Sequence, residues 1–458
     1  MDLNEKITEE IETIVNLTDH EKLIRVRERI ITMDAADIEI LLEELPREKM
    51  VRVFRMLPKT LAADTFAYMK SDSQKYIIES ITDREINNIL DEMFMDDTVD
   101  FLEEMPANVV KRVLKNTDAK TRKTINQLLQ YPEGSAGSIM TTEYVDLKKQ
   151  MTAKEALSHI RQTGVDSETI NTCYVIDRER KLQGAISIRK IILSEPDTLI
   201  SDLMTSEVKY LHTSDDRETG AFNFKKYDLL SMPVVDAENR LVGIITIDDI
   251  VDVIEQEATE DIEKMAAITP TDKPYTETGV FGTFKKRIMW LLILMISAAF
   301  TGGILSSYES SLAIYPALVS FIPMLMGAGG NAGGQTSVAV IRSLALNEID
   351  YGDFFKIVWK ELRVAIVCGF VMAVVCFAKA IIIDARFTDG IDVLTALIVS
   401  LTIFFTIIIA KLTGCMMPLL AKRIGFDPAV MASPFITTIV DALSLIIYFQ
   451  IVRIFLPI

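Results

Sequence analysis

Histidine and cysteine are scarce, three and four in 458 residues. His20, His159 and His212 are scattered, and Cys173, Cys368, Cys376 and Cys415 show no metal-ligand spacing. A zinc site, a disulfide framework and a His-based catalytic constellation are thereby excluded as readings. The cysteines read as small buried residues of a reducing compartment. No Walker phosphate loop and no nucleophile–base pair is visible, which argues against an enzyme. Met1–Lys6 lacks the basic-then-apolar pattern of a signal peptide, so the amino terminus is expected in the cytosol. Basic residues are outnumbered, 48 against 65, for a net charge of −17. Such a surface repels phosphate and excludes nucleic acid as a partner.

The charge is unevenly spread. After Ile288 ten basic residues balance ten acidic ones, so the whole excess of acid lies in the front part. The back part carries long apolar runs, and Ser310–Ile341 holds no charge at all. That exceeds the roughly 20 residues that a straight membrane helix needs.

Residues 1–130 are rich in helix formers, with apolar residues at three- and four-residue steps, as in Ile38, Leu41, Leu42, Leu45 and Met50, Val53, Phe54, Leu57. Leu41-Leu-Glu-Glu-Leu-Pro46 returns as Phe101-Leu-Glu-Glu-Met-Pro106. The echo predicts an all-α helical solenoid, an interaction or regulatory module. Its acids Asp91, Glu92, Asp96, Asp97 and Asp100 form either a solvated face or half of a cation site.

From residue 135 strands and helices alternate. Tyr174–Ser187 repeats as Pro233–Thr246 at an offset of 59, aligning Asp177 with Asp236 and Gly184 with Gly243. Met140-Thr and Met204-Thr open the two copies. Residues 135–255 thus resemble an α/β tandem pair of CBS domains, a regulatory sensor often of adenine nucleotides such as ATP. The second copy keeps the Thr-x-x-Asp (Thr246, Asp249) that contacts ribose in nucleotide-binding relatives; the first has Lys190 in place of the acid.

An acidic connecting helix and linker follow over 248–275. Seven carboxylates (Asp248, Asp249, Asp252, Glu255, Glu257, Glu260, Asp261) surround one apolar face of Ile250, Val253, Ile254 and Ala258. They repel one another, so a positive partner is expected nearby. By spacing, Asp249, Asp252 and Glu260 share a flank, and hard oxygen ligands suit Mg²⁺ or Ca²⁺. The plain alternative is a connecting helix that faces water.

Residues 285–458 read as an α-helical membrane domain of five spans, about 288–307, 311–341, 363–383, 391–418 and 428–455. Lys285-Lys-Arg287, the Arg342–Arg363 connection and Lys422-Arg423 put the amino terminus inside and the carboxyl terminus outside. Gly327, Gly329, Gly330, Gly333 and Gly334, with Asn331 among them, form either a small-residue packing seam or a pore lining. In the last span Asp441 stands alone, 13 residues past Pro428, with Thr437, Thr438 and Ser444 on its face. A carboxylate at mid-bilayer marks an ion site by default.

These blocks, in this order, resemble the MgtE family of magnesium channels and transporters over essentially the whole chain. The run from Pro323 through Gly-Gly-Asn331-Ala-Gly and the Asp427–Asp441 run look like its two pore motifs, and Asp248–Asp261 like its plug helix. The resemblance implies a homodimer in the bacterial plasma membrane, with a pore on the two-fold axis lined by the second and fifth spans. It implies Asp441 as the pore carboxylate, with Gly329, Gly330, Asn331, Thr437, Thr438 and Ser444 lining the path. It also implies Glu218, Asp228, Asp249, Asp252, Glu257, Glu260 and Asp261 as Mg²⁺ sensor acids, with Asp91, Asp96 and Asp100 as further partners. Uptake of Mg²⁺ closed by cytosolic Mg²⁺ is the expectation. Rival readings are a Na⁺- or H⁺-coupled divalent-cation transporter and a CBS-regulated membrane signalling protein.

Overall fold

The computed structural model describes residues 27–271, 275–276, 278–387, 390–431 and 433–456. The amino-terminal residues 1–26, with Met1–Lys6 and His20, lie outside these, as does part of the Thr269–Pro274 break. The chain forms two units, Met1–Ile254 and Glu255–Ile458.

Among the described residues the first unit holds, from Ala35 on, eight short helices: α1 Ala35–Glu43, α2 Arg47–Phe54, α3 Lys59–Tyr68, α4 Ser71–Ser80, α5 Asp83–Leu90, α6 Met95–Glu104, α7 Ala107–Asn116 and α8 Ala119–Leu128. Alternate helices pack in succession, α1 on α3, α3 on α5 and α5 on α7. Stacking of this kind is how short helices bury apolar stripes too small to stand alone. The internal echo marks equivalent places in it. Leu41, Leu42 and Leu45 are buried, as are Phe101, Leu102 and Met105. Pro46 and Pro106 each cap the helix that follows, where a missing N–H costs nothing.

Two α/β modules follow: β1 Tyr144–Leu147, α9 Ala153–Thr163, β2 Thr169–Ile176, β3 Leu182–Ser187, α10 Ile188–Ile192 and α11 Ile200–Leu203; then β4 Leu211–His212, α12 Arg217–Tyr227, β5 Ser231–Val235 and β6 Leu241–Thr246. Each sheet has one parallel and one antiparallel pair, in the orders β1-β2-β3 and β4-β5-β6. The paired motifs explain themselves by crossing over. The Thr141 N–H donates to Ile244 O at 2.8 Å, and the Thr205 N–H to Ala185 O at 2.9 Å. A Cβ on Gly243 would sit 2.6 Å from Thr141 O, and one on Gly184 2.8 Å from Thr205 O, so both positions need glycine. The opening Met-Thr of each copy thus closes on the other copy's glycine.

Helix α13, Ile247–Met265, runs from the first unit into the second. Its buried face is limited to Ile250 and Val253, and Ile254 is exposed. The helix ends at Met265, and the linker follows it.

The second unit holds α14 Val280–Ser307, α15 Glu309–Ile314, a 3₁₀ turn Pro316–Phe321, α16 Ile322–Ala345, α17 Phe354–Lys379, a π turn Ala380–Asp384, α18 Ala385–Phe387, α19 Val393–Arg423, a 3₁₀ turn Pro428–Met431 and α20 Ser433–Phe455. Among the described residues four helical stretches are long and apolar enough to cross a membrane: Val280–Ser307, Tyr351–Phe387, Val393–Arg423 and Pro428–Phe455. The expected span 311–341 is not one helix. It breaks at the 3₁₀ turn that Pro316 opens, and the glycine-rich α16 starts only at Ile322. Its glycines, Asn331 and Gln335 dilute the apolar content that marks the other four. α16, α19 and α20 pack on one another, α17 covers α19, and α14 touches α20.

Candidate ion sites

In the first unit, α6, the start of α13 and the first α/β module bring carboxylates together. Asp96 is 7% exposed, and its Oδ1 accepts from the neighbouring Asp97 N–H at 3.0 Å. Burial, then Asp249, pushes its carboxyl well above the ordinary range. Asp97 is pushed up to about 6 by burial and by Asp249 and Asp248. Asp249 is also pushed up to about 6, by burial chiefly, against the pull of Thr246, whose hydroxyl donates to Oδ2 at 2.7 Å. Asp252 adds to its load. Asp100 faces Asp249 and Asp97 from an exposed rim.

Two members of this group were not legible in the sequence. Glu143 Oε2 accepts from the Thr141 hydroxyl at 2.6 Å and from the Met95 N–H at 3.3 Å. Glu168 is pushed up to about 8 by burial and by Asp248, Asp249 and Asp97, and its Oε2 is buried without a partner. The Glu168 N–H donates to Glu143 O at 2.9 Å, so strand pairing brings together two acids 25 residues apart. Among the described residues no three of these groups converge closely enough to chelate a bare ion. The arrangement suits a hydrated divalent cation held by charge and by its water shell.

Of the other expected sensor acids, Glu218 and Asp228 are exposed at the two ends of α12, and Asp91 is exposed at the end of α5. Glu260 lies on the flank of α13 that carries Asp249 and Asp252, about two to three turns further along. It pairs with Lys264, whose ammonium also lies 2.6 Å from Asp427 Oδ2. Burial, then Asp427, raises the Asp261 carboxyl, and Glu257 and Glu260 add to it. The acids of α13 therefore serve two clusters, and the second has Lys264 as a positive partner.

In the second unit the glycine run resolves into two faces. Pro323, Gly327, Asn331 and Gln335 form an exposed stripe on α16. Gly329, Gly330 and Gly333 face α19 and α20 instead. A Cβ on Gly329 would lie 2.8 Å from Thr406 and 2.9 Å from Ser444 and Val440. One on Gly330 would lie 2.8 Å from Thr437 and one on Gly333 3.0 Å from Ile436. One on Gly414 would overlap the Gly333 carbonyl. The seam lets α16 press directly on its neighbours. Ser444 is buried and donates to Val440 O at 2.6 Å, and the Thr438 hydroxyl donates to Pro434 O at 3.1 Å. Asp441, between Thr437 and Ser444 on α20, is half-buried, and its Oδ1 is buried without a hydrogen-bond partner. An orphaned carboxylate oxygen in an apolar helix fits a cation or its water.

Family models described as "MgtE intracellular N domain" match residues 33–134, "CBS domain" 136–195 and 200–256, and "Divalent cation transporter" 322–451. A magnesium transporter MgtE of Thermus thermophilus is 34% identical over 94% of this chain and 95% of its own length. The chain belongs to the MgtE family. A magnesium transporter MgtE of Bacillus subtilis is 32% identical over 92% of this chain and 91% of that relative. The solved soluble part of a magnesium transporter superposes with a TM-score of 0.52 at 30% identity, over 56% of this chain and 100% of that one. The MgtE relatives are named as transporters, in keeping with the soluble modules and apolar helices seen here.

Lys411 is the further residue that the sequence reading passed over. It is the one charge in the α19 run from Val393 to Ala421, is 8% exposed, and donates to the Thr336 hydroxyl at 3.2 Å. Its isolation in an apolar run was the available signal.

Proposed function

We propose that this chain carries Mg²⁺ across the bacterial plasma membrane into the cell, through a path lined by α16 and α20. The observation that carries this reading is the orphaned Asp441 Oδ1 in the apolar α20, beside the glycine seam. In the proposed topology α16 is the second of five spans and α20 the fifth, with the amino terminus inside and the carboxyl terminus outside. Two copies share the path and supply two Asp441 carboxylates. The apolar α14, without a single buried residue in one copy, is free to meet lipid or the second copy. Mg²⁺ keeps its inner water tenaciously, so the selective element is a wet ring of carboxylates and carbonyls. A membrane potential supplies about 4.6 kcal/mol per 100 mV for a divalent ion, twice the single-charge value, so nucleotide hydrolysis is unnecessary.

The cytosolic acids supply feedback. With little Mg²⁺, Asp96, Asp97, Asp249 and Glu168 repel one another and loosen α6 from α13. Bound Mg²⁺ neutralises them and favours the state in which α13 holds the path closed. Thr246 and Asp249 are also where a nucleotide such as ATP would dock. A ribose must compete with the Thr246–Asp249 hydrogen bond, which couples any nucleotide to the same acids.

The test is growth of a bacterium stripped of Mg²⁺ uptake, on low Mg²⁺. Wild type is expected to restore growth and Asp441→Asn, expressed at the same level, to fail. Equal rescue by both would overturn the assignment of Asp441.

A further inference from the structure

Lys411 raises a problem of charge. Its side chain lies inside the helical bundle, and an ammonium has three N–H donors, of which one meets the Thr336 hydroxyl. Among the described residues no carboxylate lies within ion-pairing distance of it. A buried cation without a counter-charge is costly and is kept where its field is used.

The packing fixes where that field acts. Gly333 and Gly414 meet backbone to backbone, which sets Lys411 beside Thr336, three residues further along α16. Gly329 meets Val440 and Ser444, and Gly333 meets Ile436, so α16 and α20 run antiparallel. Asp441 is then level with Gly329–Gly330, and Thr336 lies about 10 Å further along α16 at 1.5 Å per residue. That direction leads towards Arg342 and, on α19, towards Lys422 and Arg423, the inner side in the proposed orientation. Lys411 is thus a fixed positive charge one step inward of the ion-binding carboxylate.

We propose that Lys411 is a rate- and affinity-determining residue of the ion path, whose buried ammonium keeps the Asp441 site shallow. When the site is vacant, the ammonium partly balances Asp441. When a divalent ion arrives, it is repelled twice as strongly as a monovalent one, so it does not dwell. A conducting site must bind well enough to admit an ion and weakly enough to release it. This inference rests on the reading of Asp441 as the pore carboxylate.

The experiment is Mg²⁺ influx into proteoliposomes holding the full-length protein under an inside-negative potential. It compares wild type, Lys411→Met, Lys411→Gln, Lys411→Arg and Asp441→Asn. Lys411→Gln keeps a hydrogen bond to Thr336 and removes the charge, so it guards against a variant that merely misfolds. Both neutral variants are expected to lower the half-saturating Mg²⁺ concentration roughly tenfold, from the Coulomb term at about 10 Å, and to lower the maximal rate several-fold. Lys411→Arg restores both. An unchanged or raised half-saturating concentration in Lys411→Gln overturns the proposal, as does an arginine variant as impaired as the glutamine one. Loss of flux in Asp441→Asn beside such a result leaves the pore reading standing, whereas wild-type flux in Asp441→Asn removes both.

Discussion

Lys264 Nζ lies 2.6 Å from Asp427 Oδ2, and this contact ties the end of α13 to the turn that leads into α20. The same ammonium pairs with Glu260 one turn back, and both partners raise its pKa against the cost of burial. Met265, the next residue, packs on Ile341 of α16 and on Ala429. The acid-rich helix is therefore fastened at its far end to α16 and to the turn that leads into α20.

If that fastening transmits closure, Lys264→Met weakens it. The two side chains are 25% and 36% exposed, so the ion pair is worth about 1 kcal/mol at most. Roughly five times more cytosolic Mg²⁺ is then expected for half-inhibition of flux in proteoliposomes. An unchanged inhibition curve would detach this contact from gating.

The glycine seam yields a prediction about stability. Ala at Gly333 forces a methyl to 3.0 Å from Ile436 and 3.1 Å from the Ala410 carbonyl. Ala at Gly414 meets the Gly333 backbone outright and has no flexible neighbour to displace. Overpacking of this kind costs about 1–3 kcal/mol, with Gly414→Ala at the upper end. Thermal unfolding in detergent is expected to rank wild type, Gly333→Ala and Gly414→Ala in falling order.

The carboxylate cluster gives a pH dependence with a definite sign. Asp97 and Asp249 rise from 3.8 to about 6 and Glu168 from 4.5 to about 8. A raised acid pKa means that the packed state holds protons that the separated state releases. The packing is then fully stabilised below the ordinary pKa values and loses that stabilisation as pH rises to about 8. Without Mg²⁺, hydrogen-exchange protection of α6 is expected to fall between pH 5 and pH 8, and Mg²⁺ is expected to flatten the fall. Protection that is flat with pH in the absence of Mg²⁺ would contradict this electrostatic reading.

Asp249→Asn removes one charge from the same cluster. Without Mg²⁺ it is expected to raise the melting temperature of the full chain by a few degrees, as for about 1 kcal/mol of relieved repulsion. It is also expected to shrink the stabilisation that Mg²⁺ confers. A lower melting temperature without Mg²⁺ would assign Asp249 a structural hydrogen-bonding role through Thr246.

Local pattern carried much of this into the sequence. The Leu41–Pro46 and Phe101–Pro106 echo, the Met-Thr openings and Gly184 with Gly243 each mark places that the fold makes equivalent. Asp441 was visible because a lone acid in an apolar run has no structural excuse. What escaped depends on distant residues meeting. Glu143 joins Glu168 only through pairing between strands, and Lys411 gains its meaning from the crossing of Gly414 with the distant Gly333. The two faces of the glycine run were likewise hidden, since spacing alone left seam and lining open. The structure gives the seam to Gly329 and Gly330 and the exposed stripe to Asn331. The break at Pro316 was missed because an uncharged run reads as continuous whatever its backbone does.

The most direct test is Mg²⁺ influx into proteoliposomes under an inside-negative potential, with low or millimolar Mg²⁺ on the cytosolic face. The expected result is potential-driven flux in wild type that closes at millimolar Mg²⁺, and none in Asp441→Ala at either concentration. Flux that ignores the potential and requires a Na⁺ or H⁺ gradient would contradict a channel and support a coupled transporter. Absence of flux under every one of these gradients would contradict Mg²⁺ transport and leave a membrane-anchored sensor.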